Sequence, residues 1–464
     1  MPLSATAEVV ADPLARRSVP VPVPVARGLP IPTIRFAALL AAALPALLVV
    51  SSWPAVGIGV LVFDLVAAAF AFAEGRAVAR RLPTVTRTHD VRMVVGVPND
   101  VTIQLHNPGP DPIRVTVRDD LPAGWSAQPP EATVDLPPYA RREVTYRTTP
   151  DRRGAVRFGD LHLRVQGGAR LASVQATARA AESAKVYPNL TLPRRFDLAA
   201  RLGSLVHLGF RAIRRDGSGG EFEKLREYVP GDDFKDIDWK ATAKRQRPVT
   251  RVFQQERSQP VLLCVDAGRM MAARLGGATK LDHAIDAALL TAYAALRNGD
   301  RVGLAVFAGD VTTFLPPRAG AEQYRRILDA IYDVQAELTF VDFRRLVEVL
   351  RARLPRRTLV VILTDLLDEA HAMPLADHAA LLSARHLPIC VTMRDGVVEA
   401  MAARTPATAE DAFDRVAATD LLAEQSAVRT HLRKHGVGLV ESAPGDLAVA
   451  TVNRYLELKR RGAL

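Results

Sequence analysis

A long apolar stretch near the N-terminus constrains this chain more than any other feature. Residues 36–63 carry no charged side chain, and the apolar character continues to residue 73. A bilayer core of about 30 Å needs only about 20 helical residues, so this stretch is too long for one span. The sequence Ser51-Ser-Trp-Pro54 provides a natural break. We therefore predict two transmembrane helices, at about 35–52 and 55–74, joined by a tight turn.

Arginines flank both ends of this predicted hairpin and are absent from its turn. Cytoplasmic segments are enriched in Lys and Arg, so both chain ends are predicted to lie in the cytoplasm. The expected localisation is the cell inner membrane, multi-pass, with cytoplasmic soluble domains. A cleaved signal peptide is the alternative, but the distance from Met1 and the second span argue against it. The arginines are Arg16, Arg17, Arg27 and Arg35 before the first span and Arg76, Arg80, Arg81 and Arg87 after the second.

The first 32 residues are rich in Pro and Val, including the run Val19-Pro-Val-Pro-Val-Pro-Val25. They lack the periodicity of a helix. Such composition is typical of an extended, solvated backbone. We predict that residues 1–32 form a disordered tail.

The composition of the chain limits the kinds of partner that it can be expected to bind. The formal net charge of +11 is compatible with nucleic-acid binding. However, Lys and Arg are scattered, so we expect no nucleic-acid partner and a membrane surface as the recipient of this charge. Cys264 and Cys390 each lie in an apolar run without metal-ligand spacing. They are predicted to be buried, reduced thiols.

Residues 84–185 change character, because short stretches of alternating polarity follow one another with Pro and Gly between them. This pattern predicts an all-β sandwich of immunoglobulin-like type. No Cys-Trp-Cys framework is present, and nothing in the segment points to catalysis, so a spacer or interaction module is expected. The alternating stretches are 92–96, 101–105, 113–117, 142–146 and 161–165.

A dense polar segment with aromatic residues follows, within residues 200–258. Pro230-Gly231-Asp232 marks a sharp turn. Basic and acidic residues alternate closely enough to form charge-assisted hydrogen bonds around aromatic anchors. The segment is therefore predicted to wrap the edge of a domain. Its aromatic residues are Phe222, Tyr228, Phe234 and Trp239.

The same segment contains an acidic cluster that invites a catalytic or metal-binding interpretation. A calcium-binding EF-hand loop starting at Asp232 would need Gly and an acidic residue where Ile237 and Ala243 stand. Hydrolysis by paired carboxylates stays an alternative, but the neighbouring lysines favour a salt-bridged structural element. The cluster consists of Asp232, Asp233, Asp236 and Asp238.

The segment also carries a long, specific motif, with Glu221, Phe222, Leu225, Arg226, Glu227, Tyr228, Pro230, Gly231, Asp232, Ile237, Asp238, Trp239, Lys240 and Ala243. This motif closely resembles the signature of the bacterial domain of unknown function 58 family. The order of parts is similar as well: two membrane helices, a β-sandwich, the signature and an α/β region. The resemblance implies a von Willebrand A-like fold, a MoxR-type AAA+ ATPase as partner and no general enzymatic activity.

Residues 259–464 alternate between apolar strand-like runs and helical patterns. Buried parallel strands appear as continuous runs of Val, Ile and Leu, so the pattern predicts an α/β fold with a doubly wound parallel sheet. Ligands in such folds bind at the carboxyl ends of the strands. The predicted strands are 261–265, 302–307, 359–363, 389–393 and 437–440, and the predicted helices are 280–297, 321–334, 343–354 and 411–435.

Asp266 and Asp365 stand at such strand ends, and Thr339 precedes the predicted helix 343–354. This layout is similar to the von Willebrand A metal site, which uses Asp-x-Ser-x-Ser, a Thr and a further Asp. Such hard oxygen ligands suit Mg²⁺. The two serine positions are Gly268 and Met270 here, and neither offers a hard oxygen.

Three oxygen donors remain for a degenerate metal site, with water to complete the shell. We expect no cofactor, with Mg²⁺ as the alternative. In the favoured interpretation, Asp266 and Asp365 cap helices or pair with Arg269. His431 and His435 lie four residues apart on a predicted helix, but no third ligand is evident, so they are assigned to the helix C-terminus.

No G-x-S-x-G motif or P-loop is present in the sequence, so no enzymatic activity is expected. The leading hypothesis is a membrane-anchored scaffold that works with a MoxR-type AAA+ ATPase in assembly or maintenance of the envelope or of protein complexes. One alternative is an adhesion-like, Mg²⁺-dependent ligand binder, and another is a hydrolase that uses Asp232–Asp238. The oligomeric state stays open. The predicted domains are 1–32 tail, 33–75 hairpin, 84–185 sandwich, 200–258 signature segment and 259–464 α/β domain.

Overall fold

The described part of the chain divides into two compact units, one within residues 12–189 and the other within residues 190–464. The structure is a computed structural model. It describes residues 16–20, 24–43, 45, 54–189, 193, 196, 221–229, 234, 237–254, 258–366, 374–375, 377–378 and 381–463.

Two helices precede the β-rich part of the first unit. Helix α1 spans Ile34–Ala41 and begins where the Thr33 hydroxyl accepts the N–H of Phe36. Helix α2 spans Pro54–Arg80. Within the described part of the chain, one helical stretch, Ala55–Arg80, is long and apolar enough to cross a membrane. Residues 44 and 46–53 lie outside the described residues, so the transmembrane hairpin stays a prediction.

The C-terminal half of α2 packs on the β-rich part of its own unit. Ala67 and Ala71 are buried one helical turn apart. The Glu74 carboxylate accepts the backbone N–H groups of residues 170–172 at 3.0, 2.9 and 3.3 Å. Since these hydrogen bonds involve a charged acceptor, they hold the helix more firmly than neutral ones would.

The N-terminal Pro/Val segment forms strands where we predicted a solvated tail. Strand β1 (Arg16–Pro20) pairs antiparallel with β3 (Thr84–Asp90), and β2 (Val25–Pro32) pairs with β12 (Ala172–Ala178). The prediction of disorder is wrong for these two stretches, and residues 1–15 lie outside the described part. Both strands lie at sheet edges, where proline is tolerated because its missing N–H is not needed by a second neighbour.

In the described residues, the strands of the first unit form two five-stranded sheets, β1-β3-β5-β9-β7 and β2-β12-β11-β6-β8, and a three-stranded sheet, β10-β13-β4. One hydrophobic cluster draws side chains from all three sheets, including Val101, Val115 and Val186. The predicted all-β character is confirmed, while the immunoglobulin-like subtype stays a prediction. The further strands are β4 Met93–Val94, β5 Asn99–His106, β6 Ile113–Asp119, β7 Ala127–Gln128, β8 Ala132–Leu136, β9 Arg141–Thr148, β10 Gly154–Phe158, β11 Leu161–Gln166 and β13 Glu182–Tyr187.

A buried ion pair crosses this core. Arg87 is fully buried, and its Nη2 and Nε donate to the two Asp119 carboxylate oxygens at 2.5 and 3.0 Å. The Tyr146 hydroxyl donates to the same carboxylate at 2.5 Å. Burial raises the pKa of Asp119, and Arg87 opposes this rise. Arg87, which we counted among the arginines flanking the membrane, is therefore a core residue instead.

Replacing Arg87 tests this pair. Arg87→Ala leaves Asp119 buried without its partner, and such a loss costs about 3–5 kcal/mol. Hydrogen exchange of the detergent-solubilised full chain should show much faster exchange in β3 and β6. Arg114→Ala, which removes an exposed pair with Asp135, is the control and should change little. Equal protection in both variants would contradict the role assigned to Arg87.

The signature segment of the second unit is described from residue 221 onward, with gaps. Strand β14 (Glu221–Glu227) pairs antiparallel with β15 (Val249–Gln254), and the short helix α3 (Trp239–Arg245) lies between them in the chain. Ile237 forms an isolated bridge with Thr250. The segment thus builds a small two-stranded element of its own.

Within the described ranges, the α/β part forms a six-stranded sheet in the order β20-β19-β16-β21-β22-β23. All neighbours are parallel except β19 and β20. The predicted α/β class is confirmed, and Cys264 and Cys390 are buried as predicted. The strands are β16 Pro260–Asp266, β19 Arg301–Phe307, β20 Val311–Arg318, β21 Leu359–Leu363, β22 Leu387–Met393 and β23 Gly438–Ser442, with β17 Arg274–Leu275 and β18 Ala278–Thr279 apart from this sheet.

The antiparallel edge strand β20 was missed in the sequence because it contains Pro316-Pro317, which argues against a central strand. Its position at the edge removes that objection. The four predicted helices form, and helices at Gly396–Ala403 and Leu447–Arg460 are present in addition. The helices are α4 Lys280–Arg297, α5 Ala321–Ile331, α6 Phe343–Arg353, α7 Gly396–Ala403, α8 Ala409–Lys434 and α9 Leu447–Arg460, with short 3-10 turns at Arg269–Ala272 and Pro444–Asp446.

Candidate functional site

The candidate site lies where the order of the parallel sheet reverses. Strand β16 has β19 on one side and β21 on the other, so the chain winds outward from this point in both directions. Ligands of open α/β sheets bind at the carboxyl ends of the strands beside such a reversal. Asp266 is the last residue of β16, and Asp365 follows β21 closely.

Asp266 is buried, and both of its carboxylate oxygens accept hydrogen bonds. Oδ1 accepts the N–H of Gly268 at 2.6 Å, and Oδ2 accepts the Thr364 hydroxyl at 2.5 Å. Burial raises the pKa of Asp266 to about 6, although the two hydrogen bonds oppose the rise. The carboxylate is therefore fixed by protein donors on both sides.

Asp365 forms a buried ion pair with Lys280. The Lys280 Nζ lies 2.5 Å from Asp365 Oδ2, and each side chain is about 4% exposed or less. Burial raises the pKa of Asp365, and the Lys280 ammonium opposes this rise. A buried carboxylate is costly unless a partner compensates its charge, and Lys280 is that partner.

Sequence reasoning missed Lys280, although it left a signal. Lys280 is the first residue of α4, directly after the N-cap Thr279. The positive end of the helix dipole lies there, so this position favours an acidic residue over a basic one. A lysine at this point therefore needs a nearby negative charge, which the fold supplies as Asp365.

Thr339 does not join the two carboxylates through its side chain. Its hydroxyl is exposed and lies 3.4 Å from a Glu337 carboxylate oxygen, while its carbonyl accepts the N–H of Arg269 at 3.0 Å. The loop that carries Thr339 and Val341 lies so close to residue 268 that it explains why a glycine stands there. A Cβ atom on Gly268 would lie 2.6 Å from Val341 Cγ2 and 3.3 Å from the Thr339 carbonyl oxygen. A serine at this position would not fit without a shift of the backbone or of Val341.

Arg269 is not the partner of either carboxylate, contrary to the sequence-based expectation. Its guanidinium lies 3.9 Å from the centre of the Phe340 ring, a cation–π contact at an exposed position. The expectation failed because it considered only neighbours in the sequence, whereas Lys280 reaches Asp365 from another element.

These residues do not fit a Mg²⁺ ion. Mg²⁺ needs several oxygen donors that are free to coordinate it. The oxygens of Asp266 accept hydrogen bonds, an oxygen of Asp365 faces an ammonium, and the Thr339 hydroxyl lies at the surface. The Lys280 ammonium already provides a positive charge that a cation would bring.

In the signature segment, the structure describes some of the predicted residues. The Asp238 carboxylate accepts the N–H groups of Lys240 and Ala241 at 3.1 and 3.0 Å, and so caps α3. Phe234 and Trp239 are 70% and 66% exposed. The prediction that they anchor a domain edge is therefore wrong for these two. Glu221, Phe222, Leu225, Arg226 and Glu227 form β14, Tyr228 follows it, and Pro230, Gly231, Asp232, Asp233 and Asp236 lie outside the described residues.

Fold and site together define a doubly wound α/β protein. An internal ion pair is buried at the point where the strand order of its sheet reverses. The model of the family described as "Protein of unknown function DUF58" matches residues 224–436. This match agrees with the family resemblance that the signature indicated.

Similar proteins include the uncharacterized protein Rv1480 of Mycobacterium tuberculosis, 27% identical over 270 residues, which cover 53% of this chain and 82% of that protein. Among solved structures, the SpRpn10 VWA domain is 10% identical, with a TM-score of 0.28, and covers 42% of this chain and 94% of that chain. BatB from Bacteroides thetaiotaomicron is 14% identical, with a TM-score of 0.28, and covers 44% of this chain and 99% of that chain.

The energetic coupling between Lys280 and Asp365 can be tested with single and double variants. Lys280→Met leaves Asp365 buried alone, which should destabilise the sheet by about 3–5 kcal/mol. The double variant Lys280→Met/Asp365→Leu should recover much of that loss, because no buried charge remains unpaired. Hydrogen exchange of β16 and β21 in the full chain measures both effects. The exposed Arg351→Met is the control, and a double variant no more stable than Lys280→Met would refute the coupling.

The raised pKa of Asp266 predicts that the free energy of unfolding decreases as the pH rises. The unfolded chain releases this proton near its usual pKa of 3.8, whereas the folded chain holds it until about pH 6. Stability is therefore lost as the pH rises between these values. Asp266→Asn lacks this loss, so its stability relative to the parent should increase by up to about 3 kcal/mol from pH 4 to pH 7. Urea unfolding followed by proteolysis measures the difference, and a constant difference would contradict the raised pKa.

Proposed function

We propose that this protein is a membrane-anchored, non-catalytic interaction protein that docks a MoxR-type AAA+ ATPase through its signature segment. The observation that carries the proposal is the exposure of Phe234 and Trp239, at 70% and 66%. Large aromatic side chains at this exposure, within one short motif, are typical of binding surfaces.

Aromatic residues, Trp above all, supply much of the binding energy in protein interfaces. Phe234 lies next to Tyr228, with ring centres 5.9 Å apart, so one face of the motif is rich in aromatic surface. Asp238 fixes the start of α3, which carries Trp239. The motif thus presents exposed aromatic side chains on a backbone that is fixed by the Asp238 cap. Such a preformed surface loses less conformational entropy on binding.

The alternatives receive less support from the described residues. A Mg²⁺-dependent adhesion-like protein needs open oxygen donors, and Asp266 and Asp365 are already held by protein donors. A hydrolase acting through Asp232–Asp238 needs free carboxylates, and Asp238 caps a helix. The absence of catalytic activity is accordingly part of the proposal.

Membrane anchoring is supported by the stretch Ala55–Arg80, which is long and apolar enough to cross a membrane. A multi-pass arrangement in the inner membrane, with cytoplasmic domains, follows from the arginine distribution. The ATPase partner follows from the family resemblance. We place the protein in the assembly or maintenance of the envelope or of protein complexes.

A pull-down with the solubilised full chain tests the docking surface. A MoxR-type ATPase from the same organism should be retained by the parent chain. Its retention should fall more than about tenfold with Trp239→Ala, because interface tryptophans commonly contribute 2 kcal/mol or more. Phe234→Ala should act in the same direction.

Phe413→Ala provides the matched control, since Phe413 is 77% exposed but lies in α8, outside the signature. This variant should retain the ATPase like the parent chain. Equal retention by the Trp239→Ala and Phe413→Ala variants would overturn the assigned surface. Failure of the parent chain to retain the ATPase would overturn the assigned partner.

A further inference from the structure

Two histidines lie side by side at the C-terminal end of α8. His431 and His435 are one helical turn apart, so they project from the same face of the helix. Their ring centres are 4.4 Å apart. The sequence alone showed this pair but no third group beside it.

The fold brings a carboxylate to the histidine pair. Asp377 reaches it from the chain segment that follows β21, and its Oδ1 lies 3.2 Å from the His431 Nε2. One ligand atom from each of Asp377, His431 and His435 can be chosen so that all three lie within 4.8 Å of one another. A third group for the pair is therefore present, distant in the sequence and adjacent in space.

One of the three spacings matches that of ligands around one metal ion. Zn²⁺ binds imidazole nitrogens and carboxylate oxygens at about 2.0–2.2 Å in tetrahedral geometry, which places neighbouring ligand atoms about 3.3 Å apart. The contact between Asp377 and His431 already has this length. The 4.8 Å limit requires a small rotamer adjustment, which the partly exposed side chains allow.

We infer that Asp377, His431 and His435 form a Zn²⁺ site. Two imidazoles and one carboxylate suit Zn²⁺ rather than Mg²⁺ or Ca²⁺, which prefer oxygen ligands throughout. Three protein ligands leave a fourth position for water or for a group from a binding partner. The site is distinct from the Lys280–Asp365 pair and does not depend on the proposed function.

The surrounding charge favours a cation. The site lies at the C-terminal end of α8, where the helix dipole is negative. Arg433 and Lys434 are exposed to solvent, which screens their repulsion. Arg429 is neutralised by Glu441 at 2.5 Å.

Bound Zn²⁺ would join two parts of the chain that are distant in the sequence. It would tie the segment carrying Asp377, which follows Asp365 in the chain, to the end of α8. A hydrogen bond between His431 and Asp377 without metal is the competing explanation. That hydrogen bond accounts for two of the three groups and gives no role to His435.

Calorimetric titration with Zn²⁺ distinguishes the two explanations. The protein is the full chain, solubilised in detergent and free of a polyhistidine tag. One Zn²⁺ should bind per chain. Loss of an outer-shell partner already weakens metal sites about 10–100-fold, so His435→Ala and His431→Ala should weaken binding at least about tenfold. Asp377→Asn should weaken it as well, although its amide can still hydrogen-bond to His431.

His378→Ala is the matched control, because His378 lies beside Asp377 and interacts with the Pro374 carbonyl at 2.7 Å instead. It should bind Zn²⁺ like the parent chain. In hydrogen exchange, Zn²⁺ should protect residues 374–378 and 431–435 in the parent and not in the His435→Ala variant. Absence of stoichiometric binding, or equal binding by the His435→Ala and parent chains, would overturn the site.

Discussion

The contact between Lys280 and Asp365 is the constraint on which the centre of the α/β domain depends. Both groups are buried at the point where the sheet order reverses, 85 residues apart in the chain. An unpaired charge there would be costly, so the two must be present together. Their contact ties the start of α4 to the end of β21, beside the hydrogen bond that ties Asp266 to Thr364.

The Lys280–Asp365 pair changes whether a divalent cation can bind at the point where the strand order reverses. A site that holds free carboxylates attracts a divalent cation, whereas a carboxylate paired with an ammonium does not need one. Gly268, in the position where the metal-binding pattern has serine, lies against Val341 and the Thr339 carbonyl. Gly268 therefore both departs from the metal-binding pattern and fits the close packing at this point.

Sequence patterns predicted the regular elements well because these depend on local periodicity. The strands around Val261, Val302 and Leu359 formed, and Asp266 and Asp365 stand at strand ends as expected. Contacts between distant residues could not be read from local patterns. Lys280 and Asp377 find their partners only after folding, and the edge strand β20 carries prolines that hid it.

The most direct test of the central claim is a calorimetric titration of the solubilised full chain with Mg²⁺, followed by hydrogen exchange of the peptides that contain Asp266 and Asp365. The Lys280–Asp365 pair predicts no binding at the sheet reversal and the same exchange with and without Mg²⁺. Stoichiometric Mg²⁺ binding that slows exchange in both peptides would contradict it.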